Sequence, residues 1–183
     1  MDKDALSKVI SSEIKNIEKN PVLLLTFKME DYHTATAEIA KALIKENKMK
    51  GIYIALNAPS STIAERLEKN KVNTCSIHFI DASGKRSKKV EGVDFIASPK
   101  SLTGLSIAIV KAVGTAKYDF IYLDSVSTML LYNNQELTEK FLHYFVNRIN
   151  SLGLKGILIG VQDERTQKLA PVMAQFCNRC LNL

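Results

Sequence analysis

Short runs of apolar residues alternate along the chain with longer stretches in which apolar residues recur at helical spacing. Wholly apolar runs are typical of strands buried on both faces of a parallel sheet, and amphipathic stretches are typical of the helices that cover it. Five strands are predicted, at residues 22–27, 51–56, 76–81, 118–124 and 155–161, with a shorter apolar piece at 93–97. Helices are predicted at residues 5–17, 34–47, 60–70, 101–114, 135–152 and 167–178, before a terminal Cys-Leu-Asn-Leu stretch.

This alternation of strands and helices predicts an α/β protein. The expected architecture is a three-layer α/β/α fold with a mainly parallel central sheet. The 183 residues match the size of one domain, and no low-complexity linker or internal repeat divides them. Residues 1–183 are therefore predicted to form a single domain.

Composition and charge narrow the class of protein. Hydrophobic residues make up 46% and charged residues 24% of the chain, which is ordinary globular usage and excludes a disordered or collagen-like chain. The N-terminal stretch MDKDALSKVISSEIK carries charges throughout, unlike a signal peptide. No apolar run approaches the roughly 20 residues that a membrane helix needs. We expect a soluble, cytoplasmic protein without a membrane partner.

The three cysteines, Cys75, Cys177 and Cys180, are an odd number for a disulfide framework. Cys177 and Cys180 have the spacing of a redox or zinc-binding motif. However, no second pair or nearby histidine completes a zinc site, and the motif follows a predicted helix instead of preceding one. We predict that these cysteines are buried and structural, and their role otherwise stays open.

The residues after the first strand occupy the place where nucleotide hydrolases carry a phosphate-binding loop. In the motif G-x-x-x-x-G-K-[ST], glycines let backbone N–H groups surround the phosphates, lysine neutralises charge and the hydroxyl holds magnesium. In this frame the chain has Phe27 and Tyr32 at the glycine positions, His33 at the lysine position and Thr34 at the hydroxyl position. Of the motif's functional groups, only the hydroxyl is kept. The neutral imidazole of His33 is a poor substitute for the permanent charge of lysine, and aromatic residues rarely adopt the positive φ that glycines allow.

The fourth predicted strand ends in four apolar residues followed by Asp124 and Ser125. This is the pattern of a Walker B strand, whose aspartate orders a magnesium ion. An aspartate at the end of a buried strand can equally cap the next segment, so both roles remain open for Asp124.

With these parts in this order, the chain resembles a RecA-superfamily ATPase domain of the KaiC/RadA-like group. The resemblance covers most of the chain: VLLLTF before the loop position, GIYIAL after the first helix, the apolar strand with Asp124 and Ser125, the strand GILIGV, and the final stretch from Phe176. It implies a parallel sheet, ATP and magnesium bound at the C-terminal ends of the strands, and assembly with neighbouring subunits, often as hexamers or filaments.

If nucleotide binding is retained, the resemblance assigns it to Lys28, His33, Thr34, Asp124 and Ser125, with Asp124 as the magnesium ligand. KaiC-like members carry a catalytic acidic residue after the second strand. This sequence has Asn57 there, which can orient a water molecule but cannot take its proton.

These departures predict a RecA/KaiC-like domain with a degenerate phosphate loop that does not hydrolyse ATP. We expect no catalytic residue and no cofactor, and a regulatory or protein-interaction role with other proteins or further copies of the chain as partners. An ATP-binding or nucleotide-binding protein with an altered loop, and weak ATPase activity at most, is the second interpretation.

A nucleic-acid-associated factor is the third interpretation. The formal net charge is +6, and four cations, Lys85, Arg86, Lys88 and Lys89, fall in one Gly/Ser-containing loop. A second group comprises Lys45, Lys48 and Lys50. Basic loops bind phosphates, but the chain has no Trp and acidic residues are interspersed, so a solvated surface is the alternative. After the fifth strand, Arg165 either pairs with Glu164 or contacts a phosphate or a neighbouring subunit.

Overall fold

The computed structural model describes residues 3–17, 22–84 and 90–183. Seven strands lie within these residues: β1 (Val22–Phe27), β2 (Gly51–Ala55), β3 (Ile77–Asp81), β4 (Val93–Phe95), β5 (Phe120–Asp124), β6 (Lys155–Val161) and β7 (Arg179–Asn182). The α-helices are α1 (Lys3–Lys15), α2 (Tyr32–Ala40), α3 (Ser60–Lys69), α4 (Leu102–Thr115), α5 (Val126–Tyr132), α6 (Gln135–Ser151) and α7 (Glu164–Met173). A π-helical turn, Lys41–Glu46, continues α2, and a 3₁₀ turn, Thr74–Ser76, precedes β3.

The strands form one sheet in the order β4-β3-β2-β5-β6-β1-β7, and every pair of neighbours in it is parallel. The central strands β1, β2 and β5 are buried at every position, as their uninterrupted apolar sequence predicts. Two separate apolar clusters lie on the two faces of the sheet, one built with α1, α2 and α3 and the other with α4 to α7. The predicted three-layer α/β/α class is confirmed.

The sheet is larger than the five predicted strands. The short apolar piece at 93–97 contributes β4, and the terminal stretch contributes β7 at the opposite edge, where it pairs with β1. These edge strands have three and four residues, and all of their residues are half-buried or exposed, so they lack the continuous apolar signal.

Two helices also differ from the prediction. α5 was not predicted, because its seven residues directly follow β5 without a loop that would separate the two patterns. α7 begins at Glu164 and ends at Met173, earlier at both ends than the predicted 167–178. Its start is fixed by Asp163, whose Oδ1 accepts a 2.7 Å hydrogen bond from the backbone N–H of Thr166. None of the helices in the described part of the chain is long and apolar enough to span a membrane.

Candidate functional site

A buried carboxylate lies at the C-terminal edge of the sheet, where ligands of open α/β sheets bind. Asp124 ends β5 and is 2% exposed. The hydroxyl of Tyr32 donates a hydrogen bond to its Oδ1, and the hydroxyl of Tyr53 donates one of 2.5 Å to its Oδ2. The Asn57 amide donates a third, of 2.9 Å, to Oδ1. We call Asp124, Tyr32, Tyr53 and Asn57 the aspartate cluster.

Strand register explains how three distant segments meet here. Tyr53 in β2 pairs with Tyr122 in β5, and the two rings stack with centroids 4.6 Å apart. Side chains alternate along a strand, so Asp124 lies on the same face as Tyr122, two positions further on. Tyr32 is the first residue of α2, which packs on that face, and its ring therefore points at the carboxylate.

Electrostatics keep the protons of this cluster on the tyrosines. Burial, and then the negative charge of Asp124, raise the pKa of Tyr32 and of Tyr53 well above the usual range for tyrosine. Burial also raises the pKa of Asp124, while the hydrogen bonds from Tyr32 and Tyr53 act to lower it. The tyrosines are therefore fixed donors, and Asp124 accepts hydrogen bonds with both of its oxygens.

The Tyr122 hydroxyl is buried beside the cluster and has no hydrogen-bond partner within the described residues. The nearby Thr36 hydroxyl donates instead to the backbone carbonyl of Tyr32, at 2.8 Å. Tyr122 therefore contributes mainly packing to the cluster, and the neighbouring Thr36 side chain is the one polar contact of its hydroxyl among the described residues.

A cavity of about 440 Å³ opens beside the cluster, between the C-terminal ends of β1, β5 and β6. Tyr32 forms part of its wall, and Met29 and Leu131 supply apolar surface. Its polar lining includes Asn57, Ser125, Ser127, Asp163 and Arg165.

The structure brings together only some of the residues that the sequence suggested for nucleotide binding: His33 and Ser125 both line the cavity beside Asp124, and Lys28 and Thr34 do not. Lys28 is exposed in the turn after β1. His33 is also exposed, and its Nδ1 accepts a 2.9 Å hydrogen bond from Arg66. Desolvation, followed by the charge of Arg66, lowers the pKa of His33. Thr34 lines a different, smaller recess of about 180 Å³ between α2 and α3.

Asp124 and Ser125 stay together but do different work. Asp124 belongs to the aspartate cluster, whereas Ser125 caps α5, since its Oγ accepts a 3.2 Å hydrogen bond from the backbone N–H of Thr128. At the end of β6, Glu164 forms a 2.6 Å ion pair with Lys168, and Arg165 is exposed at the cavity.

The remaining sequence candidates fall into three cases. Lys85, Arg86, Lys88 and Lys89 lie outside the described residues. Cys177 is buried as predicted, Cys180 is half-buried, and the prediction is wrong for Cys75, which is exposed after α3. Over residues 3–17, 22–84 and 90–183, no three His, Cys, Asp or Glu side chains are placed to hold a metal ion.

Sequence reasoning missed Tyr53 and the partner role of Tyr32 and Asn57. Tyr32 was noted as an aromatic residue at a glycine position, and Asn57 as a residue at a glutamate position. Each of these unusual residues now proves to contact the same carboxylate. Two departures from the family pattern therefore carried a usable signal, but only the strand order showed that both residues contact Asp124.

Comparisons with known proteins agree with this architecture. The model of a family of unknown function (DUF7504) matches residues 28–172. The fold resembles the crystal structure of the KaiC-like protein PH0186 from the hyperthermophilic archaeon Pyrococcus horikoshii OT3, with a TM-score of 0.61 and 14% sequence identity. The match covers 90% of this chain and 72% of that one. No curated protein matches the sequence. The structural likeness shows a RecA/KaiC-like fold.

Proposed function

Because the chain belongs to the family of unknown function DUF7504 and has a KaiC-like fold, we propose that it is a RecA/KaiC-like domain that does not hydrolyse ATP and acts as a regulatory or protein-interaction module. One observation carries this proposal. Both oxygens of Asp124, the residue at the Walker B position, already accept hydrogen bonds from the protein itself.

This donor set does not fit a magnesium nucleotide. Mg²⁺ is held octahedrally by carboxylates, waters and phosphates, so a ligating aspartate needs free lone pairs facing the ion. In the aspartate cluster the two tyrosine hydroxyls and the Asn57 amide occupy three of the roughly four lone-pair sites of the carboxylate. We therefore derive no catalytic step through Mg²⁺ or ATP.

The turn between β1 and α2 supports the same proposal. Only residues 28–31 separate the strand from the helix, and the turn is closed by a 3.0 Å hydrogen bond from the Asp31 N–H to the Lys28 carbonyl. No glycine is present to let successive N–H groups surround a phosphate, and the first helical residue, Tyr32, directs its ring inwards.

The end of β2 supplies no general base. Asn57 follows this strand and donates to Asp124, so it offers an amide where hydrolysis requires a proton acceptor. Phosphoryl transfer depends on the placement of charges around the phosphate. This chain lacks the phosphate cradle, a free Asp124 and a general base, so none of the three can contribute to catalysis.

An exposed apolar strip supports the interaction role. α4 buries Leu105 and Ile109 against the sheet, yet Ile107 and Val110 on its outer side are 65% and 47% exposed. A helix that is apolar on both sides is normally covered on both sides. Light scattering tests self-association: we expect a mass above the 20.4 kDa of one chain, reduced by the double substitution Ile107→Glu/Val110→Glu.

The hydrolysis claim is tested by measuring phosphate release from ATP in the presence of Mg²⁺. We expect no release above the protein-free rate for the wild type or for Asp124→Asn. Wild-type turnover that Asp124→Asn abolishes would overturn the proposal.

A second candidate, a nucleotide-binding protein without hydrolysis, is favoured by the cavity of about 440 Å³ and by Arg165 in its lining. Thermal unfolding with and without Mg²⁺-ATP separates the two candidates, because only a nucleotide-binding protein is stabilised by ATP.

A further inference from the structure

Lysines gather at the edge of the sheet opposite the aspartate cluster. In a parallel sheet all strands begin at one edge, and helices that return from the other edge end there. Backbone hydrogen bonds join the starts of three central strands, from the Asp119 N–H to the Lys50 carbonyl at 2.7 Å and from the Lys155 N–H to the Asp119 carbonyl at 2.9 Å. The basic edge consists of the lysines before β2, β5 and β6 and at the ends of α2 and α3: Lys45, Lys48, Lys50, Lys69, Lys71, Lys117 and Lys155.

These lysines present free charge. Six of them are exposed and Lys155 is half-buried, and none forms an ion pair with an acid in the part of the chain that the structure describes. Elsewhere, Lys111, Lys140 and Lys168 each pair with a carboxylate at 2.6 Å.

The acids within the same segments are already engaged. Glu46 accepts a hydrogen bond from Ser11, Glu68 accepts one from Thr74, and Asp119 accepts one of 2.8 Å from the backbone N–H of Lys50. These hydrogen bonds hold the three carboxylates in place without removing their charge, and the seven lysines outnumber them, so the edge keeps a positive excess and faces away from the cavity beside Asp124.

Two of the lysines occupy backbone positions that favour glycine. Lys48 has φ +54° and Lys71 has φ +60°, where they turn the chain out of the helical segments that lead to β2 and β3. Left-handed backbone costs an ordinary residue about 1–2 kcal/mol, and helices usually make this turn with Gly or Asn. Lysine therefore lowers the stability of both turns, and the stability of the fold does not explain why lysine is present there.

The basic edge also contains a recess. A cavity of about 420 Å³ is lined by Lys50, Lys117, His78 and Tyr118. The Asp94 carboxylate accepts a 3.0 Å hydrogen bond from the His78 ring and pairs with Lys111 at 2.6 Å, and the Asp119 carboxylate accepts a 2.8 Å hydrogen bond from the backbone N–H of Lys50. An anionic group in the recess would meet two lysine side chains and no unpaired carboxylate among the residues that line it.

We propose that the basic edge binds nucleic acid through its phosphates. Adjacent strand starts lie about 4.8 Å apart, so the lysines that precede β2, β5 and β6 are grouped along one edge of the sheet, where a polyanion can contact several of them. Protein–protein interfaces are depleted of lysine, and peripheral membrane surfaces combine cations with inserted apolar side chains. The large exposed apolar residues, such as Met29, Ile107, Val110 and Leu131, lie outside the segments of the basic edge.

The test is fluorescence anisotropy with a short labelled oligonucleotide, single-stranded in one series and paired as a duplex in another. Each phosphate contact contributes about −0.7 (single strand) to −0.9 (duplex) to the slope of log K against log salt. We expect wild-type affinity to fall steeply with salt, and each lost lysine contact to reduce that slope by about one.

The most informative variant is Lys48→Gly/Lys71→Gly. Glycine relaxes both left-handed turns, so we expect thermal stability to be kept or raised while oligonucleotide affinity falls and the salt slope decreases by about two. Lys50→Ala/Lys117→Ala should lower affinity in the same way. The matched control, Lys140→Ala/Lys168→Ala, removes the same charge from ion-paired positions on α6 and α7 and should bind as the wild type.

The proposal fails if the wild type binds neither oligonucleotide at low salt, or if all the charge variants weaken binding equally. It also fails if binding is lost only when Lys85, Arg86, Lys88 and Lys89 are replaced by alanine, because the loop would then be the site. Tighter binding of polyglutamate, or of vesicles containing an anionic phospholipid, at the same ionic strength would assign the edge to an acidic protein or to a membrane and overturn the proposal.

Discussion

The hydroxyl of Tyr53 lies 2.5 Å from Oδ2 of Asp124 and donates a hydrogen bond to it. This contact joins two neighbouring central strands at the edge where a RecA-like domain would hold its nucleotide. Tyr32 and Asn57 complete the shell around the same carboxylate, and a residue type expected to order magnesium instead organises the protein's own side chains.

The contribution of that hydrogen bond is measurable with Tyr53→Phe. The substitution leaves the packing of the ring intact but leaves one oxygen of a buried carboxylate without its donor. Hydrogen bonds to charged groups are worth about 1.5–3 kcal/mol, so we expect the free energy of unfolding in urea to fall by that amount.

Tyr122→Phe is the matched control for Tyr53→Phe. Tyr122 is equally buried, pairs with Tyr53 in the sheet and stacks on its ring, but its hydroxyl has no hydrogen-bond partner among the described residues. Removing an unsatisfied buried hydroxyl should leave stability unchanged within about 0.5 kcal/mol or increase it. Equal decreases in the free energy of unfolding of the two variants would contradict a stabilising role for the hydrogen bond between Tyr53 and Asp124.

Close packing at the start of β2 predicts a strong effect of Gly51→Ala. A Cβ at Gly51 would collide with the ring of Phe120, its partner in the β2–β5 register. Overpacking of this kind costs about 1–3 kcal/mol, which urea unfolding would detect.

Gly114→Ala serves as the comparison, because a Cβ there meets open space near the end of α4. Alanine in a helix should add about 0.4–1 kcal/mol of stability. The packing argument would be wrong if both glycines tolerated alanine equally.

The ion cluster around Asp94 predicts a dependence of stability on pH. Partial burial acts to raise the pKa of this carboxyl, but hydrogen bonds from Lys111 and His78 outweigh it and place the pKa below its usual 3.8. A carboxyl with a lowered folded pKa stabilises the protein above its unfolded pKa and loses that stabilisation as the pH falls through the folded value.

We therefore expect Asp94→Asn to be less stable than the wild type at neutral pH, with the difference shrinking as the pH falls below 3.8. Unfolding free energies across this range provide the measurement. Glu164→Gln breaks a fully exposed ion pair whose hydrogen bond from Lys168 also lowers the pKa of Glu164, but solvent screens this pair, so we expect a smaller dependence than for Asp94→Asn. A difference between Asp94→Asn and the wild type that does not change with pH would contradict the assignment.

The central strands and the fold class could be predicted from the sequence because β1, β2 and β5 are apolar at nearly every position and buried at all of them. The edge strands β4 and β7 could not, since half-buried positions leave no continuous apolar run. The start of α5 does have a local sequence signal, because Ser125 is its N-cap. The sequence suggested Ser125 as a nucleotide ligand instead.

The candidate site was predictable only in outline. The position of Asp124 at a strand end follows from the sequence pattern, and so does the absence of phosphate-loop glycines. Its tyrosine partners come from segments separated by 71 and 92 residues along the chain, and no local pattern links them. Their meeting depends on the placement of β2 beside β5 and of α2 across that face.

The most direct test of the account is thermal unfolding of the wild type with and without Mg²⁺-ATP. A ligand present at 100 times its Kd stabilises a native protein by about 2.7 kcal/mol, which raises Tm by several degrees. Because Tyr32, Tyr53 and Asn57 already donate hydrogen bonds to both oxygens of Asp124, we predict the same Tm in Mg²⁺ alone and in millimolar Mg²⁺-ATP. A Tm that rises with ATP concentration in the wild type, and not in Asp124→Asn, would contradict it.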